Sequence, residues 1–275
     1  MQSPMLWPEK EGEMRARVLL TLLLVLALAA TVRAGGKDDR LFQASVLPAL
    51  LAGDYAGSFG AGEILAKGNF GLGTFENLDG EMVVLDGVIW QVPASGQVRR
   101  MDAAAKSPFA CVAFFEPDLR LPVASAANLE DLDRQLDAAL PGLNRFYALR
   151  LDGRMRVKAR SVPRQDKPWR PLAEVVKEQS VFDLGELEGT LVGLRCPAFA
   201  ASLNVSGYHW HFLSKDRTRG GHVLDCSFTN LSVAVDRLSS LELRLPKAAA
   251  FDGLDLSGDR SAQVKAVEKS PEAKK

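Results

Sequence analysis

Residues 207–225 have the sequence Gly-Tyr-His-Trp-His-Phe-Leu-Ser-Lys-Asp-Arg-Thr-Arg-Gly-Gly-His-Val-Leu-Asp and contain all three histidines of the chain. His209 and His211 are two positions apart in a β-rich run, so their side chains point to the same face of a strand. Residues 214–221 are rich in turn formers and predict a loop that folds the chain back. The strand that begins at His222 would then pair with the first. We therefore expect the three imidazoles to lie together.

Three neutral imidazoles on neighbouring strands are the ligand set of a catalytic zinc site, which keeps at least one position open for water or substrate. A structural zinc site more often uses Cys ligands, and neither Cys196 nor Cys226 has the required spacing. Imidazole also suits iron, copper and nickel. The alternative is that these are ordinary sheet histidines with hydrogen-bond partners. The clustering favours a metal site, with Zn²⁺ as the expected ion.

The rest of the sequence predicts a β-rich α+β fold with few short helices. Runs of β-forming residues flank Asp86-Gly87 and Asp152-Gly153, and both patterns predict a hairpin with a two-residue turn. Residues 129–140 have helical spacing, with Asn128 as the N-cap. Other predicted strands are 109–115, 189–194, 205–213, 222–228, 231–235 and 240–245. Other predicted helical segments are 47–51, 61–67 and 169–179, and residues 264–267 form a small β-like island.

Two sheet-containing domains are predicted. Pro163, Gln165, Lys167 and Pro168 interrupt the pattern and suggest a boundary. We expect an N-terminal β-rich α/β domain at residues 35–168 and a C-terminal β domain with the histidine cluster at residues 169–257. Residues 258–275 form a polar, lysine-rich C-terminal tail.

The N-terminal segment predicts export. Residues 18–30 form a 13-residue run without a charged side chain, preceded by Arg15 and Arg17. A basic flank, a short apolar centre and small residues at the exit are the parts of a secretory signal peptide, whereas a membrane span needs about 20 apolar residues. We expect a signal peptide at residues 1–34, cleavage after Ala34, and a periplasmic or secreted mature chain without a membrane span. A buried N-terminal helix is the alternative, and Met14 is an alternative start.

Composition limits the function classes. The chain has 34 basic and 34 acidic side chains and a formal net charge of zero, so its charge does not indicate a nucleic-acid partner. Hydrophobic residues make up 47% of the chain, which excludes wholesale disorder. The sequence has no P-loop, no dinucleotide-binding fingerprint and no Gly-x-Ser-x-Gly elbow. The histidine cluster is therefore the main candidate for chemistry.

Three charged side chains elsewhere are candidates to assist a metal at the cluster. Glu81 follows a turn at the start of a strand, Arg160 ends an alternating basic run at residues 154–160, and Glu268 lies near the end of the chain. Each also has an ordinary explanation, as a solvated strand-end charge, part of a solvated basic face, or a tail carboxylate without a role.

A series of short motifs runs through the mature chain from about Leu41 to Glu268. They are Gly68-Asn-Phe-Gly-Leu-Gly-Thr-Phe75, Leu78-Asp-Gly-Glu-Met82, Asp86-Gly87, Ser107-Pro-Phe-Ala110, Arg160-Ser-Val-Pro163, Lys167-Pro168 and the two-strand histidine motif of residues 207–225. In this order they resemble the alpha-acetolactate decarboxylase family, and the histidine motif is the specific part. The resemblance implies a homodimer with two β-sheet-containing domains per chain. Many members of the family are cytoplasmic, and the export signal departs from that pattern.

The resemblance also implies the site and the reaction. The zinc ligands would be His209, His211 and His222, and the residues that reach the metal site would be Glu81, Arg160 and Glu268, the last because the tail folds back. The reaction would be decarboxylation of the small molecule 2-acetolactate to acetoin and CO₂, in acetoin and butanediol biosynthesis, with zinc stabilising the enediolate as a Lewis acid. Arg160 would bind substrate oxygens, and Glu81 or Glu268 would deliver the proton. Two alternatives stay open, another three-histidine zinc hydratase or hydrolase and an exported metal-binding protein.

Overall fold

Two large sheets and one short two-stranded ladder organise residues 38–268, the part of the chain that this computed structural model describes. The predicted signal peptide, residues 1–34, lies outside the described residues, as do residues 269–275 of the predicted tail. About 45% of the described residues are in strands and 20% are in helices, which confirms the predicted β-rich α+β class.

The strands are β1 (Arg40–Ala44), β2 (Phe59–Gly60), β3 (Phe70–Thr74), β4 (Glu81–Leu85), β5 (Val88–Val92), β6 (Arg99–Arg100), β7 (Lys106–Ser107), β8 (Ala110–Ala113), β9 (Leu119–Ala126), β10 (Phe146–Ser161), β11 (Ser180–Cys196), β12 (Gly207–Ser214), β13 (Gly220–Leu238) and β14 (Ser240–Arg244). The helices are α1 (Leu47–Leu51), α2 (Ala61–Leu65), α3 (Leu129–Ala139), α4 (Leu172–Val175), α5 (Ala249–Asp252) and α6 (Ser261–Glu268), with 3₁₀ turns at Glu76–Leu78, Val176–Glu178 and Ala198–Ala200.

The seven-stranded sheet has the order β14-β1-β8-β3-β4-β5-β6. Its β1–β14 pair is parallel and its other pairs are antiparallel. The five-stranded sheet has the order β10-β11-β12-β13-β9, and β10 also pairs with β13. Strands β10 to β13 therefore form a closed ring of hydrogen-bonded neighbours. The ladder of β2 and β7 completes the β structure of the described residues.

The five-stranded sheet takes strands from both sides of the boundary expected at residue 168. Strands β9 and β10 precede that residue, whereas β11, β12 and β13 follow it. Strand β14 joins the seven-stranded sheet beside β1. Residues 39–268 belong to one compact unit.

One predicted Asp-Gly hairpin is present and the other is wrong. Asp86 and Gly87 form the turn between β4 and β5, with φ values of 53° and 74°. Asp152 and Gly153 instead lie inside β10, which pairs continuously with β11 through this point. A Cβ at Gly153 would lie 2.4 Å from a methyl carbon of Leu231. Glycine therefore serves close packing here rather than a turn.

The helices partly match the sequence patterns. Asn128 caps α3 as predicted, because its side chain accepts a hydrogen bond from the Asp131 amide at 2.8 Å. The predicted helix at residues 169–179 is only the four-residue α4 followed by a 3₁₀ turn. The β-like island at residues 264–267 is wrong, because these residues belong to α6. Val264 and Val267 are three positions apart, a helical spacing, and both pack on the main core.

The main core contains buried side chains from both large sheets, and this is where the candidate site lies. A second core covers the other side of the five-stranded sheet, where α3 contributes Leu132 and Leu136. No helix among residues 38–268 has both the length and the apolar character needed to span a bilayer.

Candidate active site

Two adjacent strands bring the three histidines together. His209 and His211 lie on β12, and His222 lies on β13 directly opposite His211 in the register of the two strands. The ring centroids are 5.0 to 5.5 Å apart. One ring nitrogen from each histidine lies within 4.8 Å of the others, so this group could hold a metal ion.

The hydrogen bonds of the imidazoles fit a metal. His211 Nδ1 donates to the carbonyl oxygen of Met82 at 2.7 Å, which leaves Nε2 as the unprotonated nitrogen. That Nε2 atom is buried and has no hydrogen-bond partner in the described part of the chain. The Nδ1 atom of His209 is also buried without a partner there. His209 Nε2 lies 3.2 Å from His222 Nδ1. Buried polar atoms normally have partners, and the unpaired nitrogen of His211 is free to act as a metal ligand.

Burial keeps the three imidazoles neutral, which is the form that binds a metal. Burial, with help from the nearby charge of Arg160, lowers the pKa of His209 to about 3. Burial also lowers the pKa of His211 and of His222 well below the usual value for histidine.

Glu81 and Arg160 form a buried ion pair beside the histidines. Glu81 is the first residue of β4, and its Oε2 atom lies 3.6 Å from His211 Nε2. Its Oε1 atom accepts a hydrogen bond from Arg160 Nη1. Burial outweighs this pairing and raises the pKa of Glu81 to about 7, although Arg160 acts to lower it.

Arg160 differs from the other members of its basic run. Arg154, Arg156 and Lys158 are exposed, as the solvated-face interpretation predicts, but Arg160 is buried. It lies directly opposite His222 in the β10–β13 pair. Its Nη2 atom donates to the carbonyl oxygen of Val267 at 3.4 Å, and its Nε atom is buried without a partner among residues 38–268.

Glu268 reaches the histidines from the end of α6. Its Oε2 atom lies 3.7 Å from His222 Nε2 and 3.8 Å from His209 Nε2. Burial raises its pKa to about 7, against the lowering effect of Arg160. The six side chains chosen from the sequence therefore lie in one place, although they come from β4, β10, β12, β13 and α6.

A cavity opens on this group, and most of its wall is apolar. The apolar side chains of the wall come from α1, the 3₁₀ turn before β4, the residue before β8, the residue after β10, and α4. They are Leu47, Leu50, Leu78, Phe109, Val162 and Leu172. These residues are not among the six site residues predicted from the sequence. No local pattern marks them, because they lie in separate segments that only the fold brings together.

The chain is similar in sequence to known proteins of one family. The family model described as Alpha-acetolactate decarboxylase matches residues 41–258. The chain is 40% identical over 235 residues to the alpha-acetolactate decarboxylase of Methylococcus capsulatus, covering 85% of this chain and 90% of that protein. It is 37% identical over 243 residues to that of Bacillus subtilis, covering 86% and 95%.

A solved structure agrees with these sequence relationships. The crystal structure of alpha-acetolactate decarboxylase from Bacillus subtilis strain 168 has a TM-score of 0.81 and 36% identity, covering 84% of this chain and 100% of that one. Glu268 lies beyond the residues that the family model matches. The resemblance seen in the motifs is thus confirmed over most of the chain: this protein belongs to the alpha-acetolactate decarboxylase family and is a carboxy-lyase.

Proposed function

We propose that the chain decarboxylates 2-acetolactate to acetoin and CO₂ at a zinc centre held by His209, His211 and His222. The observation that carries the proposal is the convergence of three neutral imidazoles, two buried and one partly buried, beside a buried Arg–Glu pair, in a chain of this family. The reaction takes up one proton and releases one CO₂, and it involves no net oxidation or reduction.

The metal has a defined role in this proposal. When bound, a divalent ion supplies Lewis-acid stabilisation of the negative charge that develops on the substrate oxygens as the enediolate forms. Zinc suits a site of three imidazoles with an open position, and iron, copper and nickel are the ions that a metal analysis must distinguish from it.

Arg160 is suited to bind substrate oxygens. Its guanidinium is buried at the cavity wall, and its Nε donor has no partner among the described residues. A guanidinium forms charge-assisted hydrogen bonds with carboxylate and developing oxyanion groups, and these are strong in a site that excludes water. Arg160 therefore orients the substrate and holds the charge that grows on its oxygens.

Glu81 and Glu268 are the candidates for proton delivery. Their carboxyl oxygens lie 3.6 to 3.8 Å from ring nitrogens of the cluster, so both can reach a substrate bound there. After CO₂ leaves, one of them donates a proton to the carbon of the enediolate, directly or through a water molecule. The apolar wall of the cavity limits access of bulk water to this carbanion-like intermediate.

The experiment for this proposal combines metal analysis with a product assay. Purified mature protein is analysed for metal and then incubated with racemic 2-acetolactate, with acetoin measured colorimetrically. We expect about one zinc ion per chain and rapid acetoin formation. Hydrolysis of esters or hydration of CO₂ without acetoin formation would overturn the proposal in favour of another three-histidine zinc enzyme. Bound metal with no turnover in any assay would favour an exported metal-binding protein.

We also propose that the chain is exported and forms a homodimer. The apolar run at residues 18–30 with its basic flank supports export with cleavage after Ala34, to the periplasm or the medium. The dimer is supported by the family resemblance alone. N-terminal sequencing of the mature protein tests the cleavage site, and sedimentation tests the oligomeric state.

A further inference from the structure

Ser161 joins the two large sheets next to the candidate site. It is the last residue of β10 and is fully buried. Its hydroxyl donates a hydrogen bond of 2.6 Å to the carbonyl oxygen of Val92, the last residue of β5. The bond therefore links the five-stranded sheet, which carries the histidines, to the seven-stranded sheet, which carries Glu81.

Both ends of this hydrogen bond lie beside the buried ion pair. Ser161 directly follows Arg160 in the chain, and Val92 lies directly opposite Glu81 in the β4–β5 pair. The distance between the backbones that carry the guanidinium and the carboxylate is thus set in part by one hydroxyl group.

The surrounding backbone makes room for this bond. Gly80, which precedes Glu81, has a φ of 84°, and a Cβ there would lie 2.3 Å from the Val92 carbonyl oxygen that accepts the bond. On the other side, a Cβ at Gly221 would lie 2.5 Å from the carbonyl oxygen of Arg160. Gly80 therefore allows close approach to the end of β5, and Gly221 allows close approach to the end of β10. These are the two strands that the Ser161 hydroxyl connects.

Ser161 itself does not contact the cavity. Its neighbours Arg160 and Val162 line the wall, as strand alternation requires, and Ser161 points to the opposite side. Any effect of Ser161 on catalysis must therefore pass through the residues that it holds in place.

We propose that Ser161 is a positioning residue, whose hydrogen bond to Val92 aligns Arg160 with Glu81 across the two sheets. This inference rests on the proposed function, because it assigns Ser161 a role in the same reaction. The hydrogen bond from His211 to the Met82 carbonyl also joins the two sheets. Loss of the Ser161 bond should thus change the alignment of the ion pair without separating the sheets.

The test is Ser161→Ala, with Thr190→Ala as the matched control. Thr190 is also a buried hydroxyl residue of the five-stranded sheet, but its 2.7 Å hydrogen bond goes to Asp152 of the neighbouring strand and joins no second sheet. We expect kcat of Ser161→Ala to fall about 10- to 100-fold, the range for displacing a catalytic group by roughly an ångström, with unchanged metal content. Thr190→Ala is expected to keep the wild-type kcat. Ser161→Thr, which restores a hydroxyl, is expected to recover most of the loss.

A double-mutant cycle separates positioning from general destabilisation. If Ser161 acts through Arg160, adding Ser161→Ala to Arg160→Ala should lower kcat by less than about twofold further. An equal loss in both backgrounds would overturn the inference, and so would a fully active Ser161→Ala protein beside an impaired Arg160→Ala protein. A wild-type chain that makes no acetoin from 2-acetolactate would instead contradict the proposed function itself.

Discussion

Arg160 and His222 lie directly opposite each other on β10 and β13, so a guanidinium and a candidate metal ligand share one point of the five-stranded sheet. From there Arg160 reaches across to Glu81 on the seven-stranded sheet. The proposed mechanism thus places charge stabilisation, metal binding and proton delivery around one contact between two sheets. The histidines, Arg160 and the two glutamates can each be substituted, so the proposed functions can be tested one at a time.

Removal of any histidine of the cluster should abolish metal binding and acetoin formation together. The variants are His209→Ala, His211→Ala and His222→Ala, since each deletes one of three ligands and the chain has no other histidine to replace it. Metal content and acetoin are measured on the same samples. Tyr208→Phe, on the same strand as His209 and His211, is the control and should retain both. A histidine variant that keeps full metal and full activity contradicts the assignment.

Loss of the Arg160 guanidinium should reduce the rate but not the metal content. Arg160→Ala is expected to lower kcat about 100- to 1,000-fold, as for removal of one donor that stabilises developing charge. It also leaves Glu81 buried without its ion-pair partner, so a lower Tm is expected. Kinetics are therefore measured well below that Tm.

The control for Arg160 lies on the same strand. Arg156 is exposed and pairs with Asp183, also exposed, at 2.9 Å. Such surface pairs contribute little to stability, so Arg156→Ala should behave as wild type. Equal kcat values for Arg160→Ala and Arg156→Ala would show that the Arg160 guanidinium has no role in the rate.

Removal of the residues after Ser257 should impair turnover without unfolding the sheets. The truncation deletes α6 and with it Glu268 and the buried side chain of Val267. Loss of the buried Val267 costs about 1.5 to 3 kcal/mol, and loss of the partly buried Val264 adds a smaller cost, so the truncated chain should be less stable but still folded. Far-UV circular dichroism and kcat are compared with those of Glu268→Gln, which keeps the helix. A truncated chain with full activity rejects a role for Glu268.

Gly80 should be more sensitive to substitution than Gly87, although both have positive φ. A Cβ at Gly80 meets the Val92 carbonyl oxygen, whereas nothing lies within 4 Å of a Cβ at Gly87. Gly87→Ala should therefore lower the free energy of unfolding only through the cost of placing alanine at positive φ, on the order of 1 kcal/mol. Gly80→Ala should have the same cost and, in addition, a steric cost of about 1 to 3 kcal/mol. Urea unfolding measures both free energies, and equal values would show that the backbone relaxes around Gly80.

The sequence was most informative where side-chain periodicity is local. Alternation along β12 and the turn-forming loop after it were sufficient to place His209, His211 and His222 together. The Asp86-Gly87 hairpin and the Asn128 cap are also determined by adjacent residues. These features depend on backbone geometry that neighbouring side chains impose directly.

The features that the sequence did not reveal depend on contacts between distant segments. Gly153 looked like a turn glycine, but its role is to admit Leu231 from another strand. Val264 and Val267 are β-branched and suggest a strand, but the packing of both side chains against the core favours a helix. The hydrogen bond of Ser161 to Val92 spans 69 positions of the chain, and no local pattern predicts it. The roles of Glu81, Arg160 and Glu268 came from the family resemblance, since each also fits an ordinary surface charge.

The central claim is that a metal held by the three histidines is required for decarboxylation. The most direct measurement strips the purified protein with a chelator and titrates Zn²⁺ back while acetoin formation from 2-acetolactate is followed. We predict no acetoin from the stripped protein and recovery that saturates at about one zinc ion per chain, the stoichiometry of a single three-histidine site. Full acetoin formation by the metal-free protein would contradict the account.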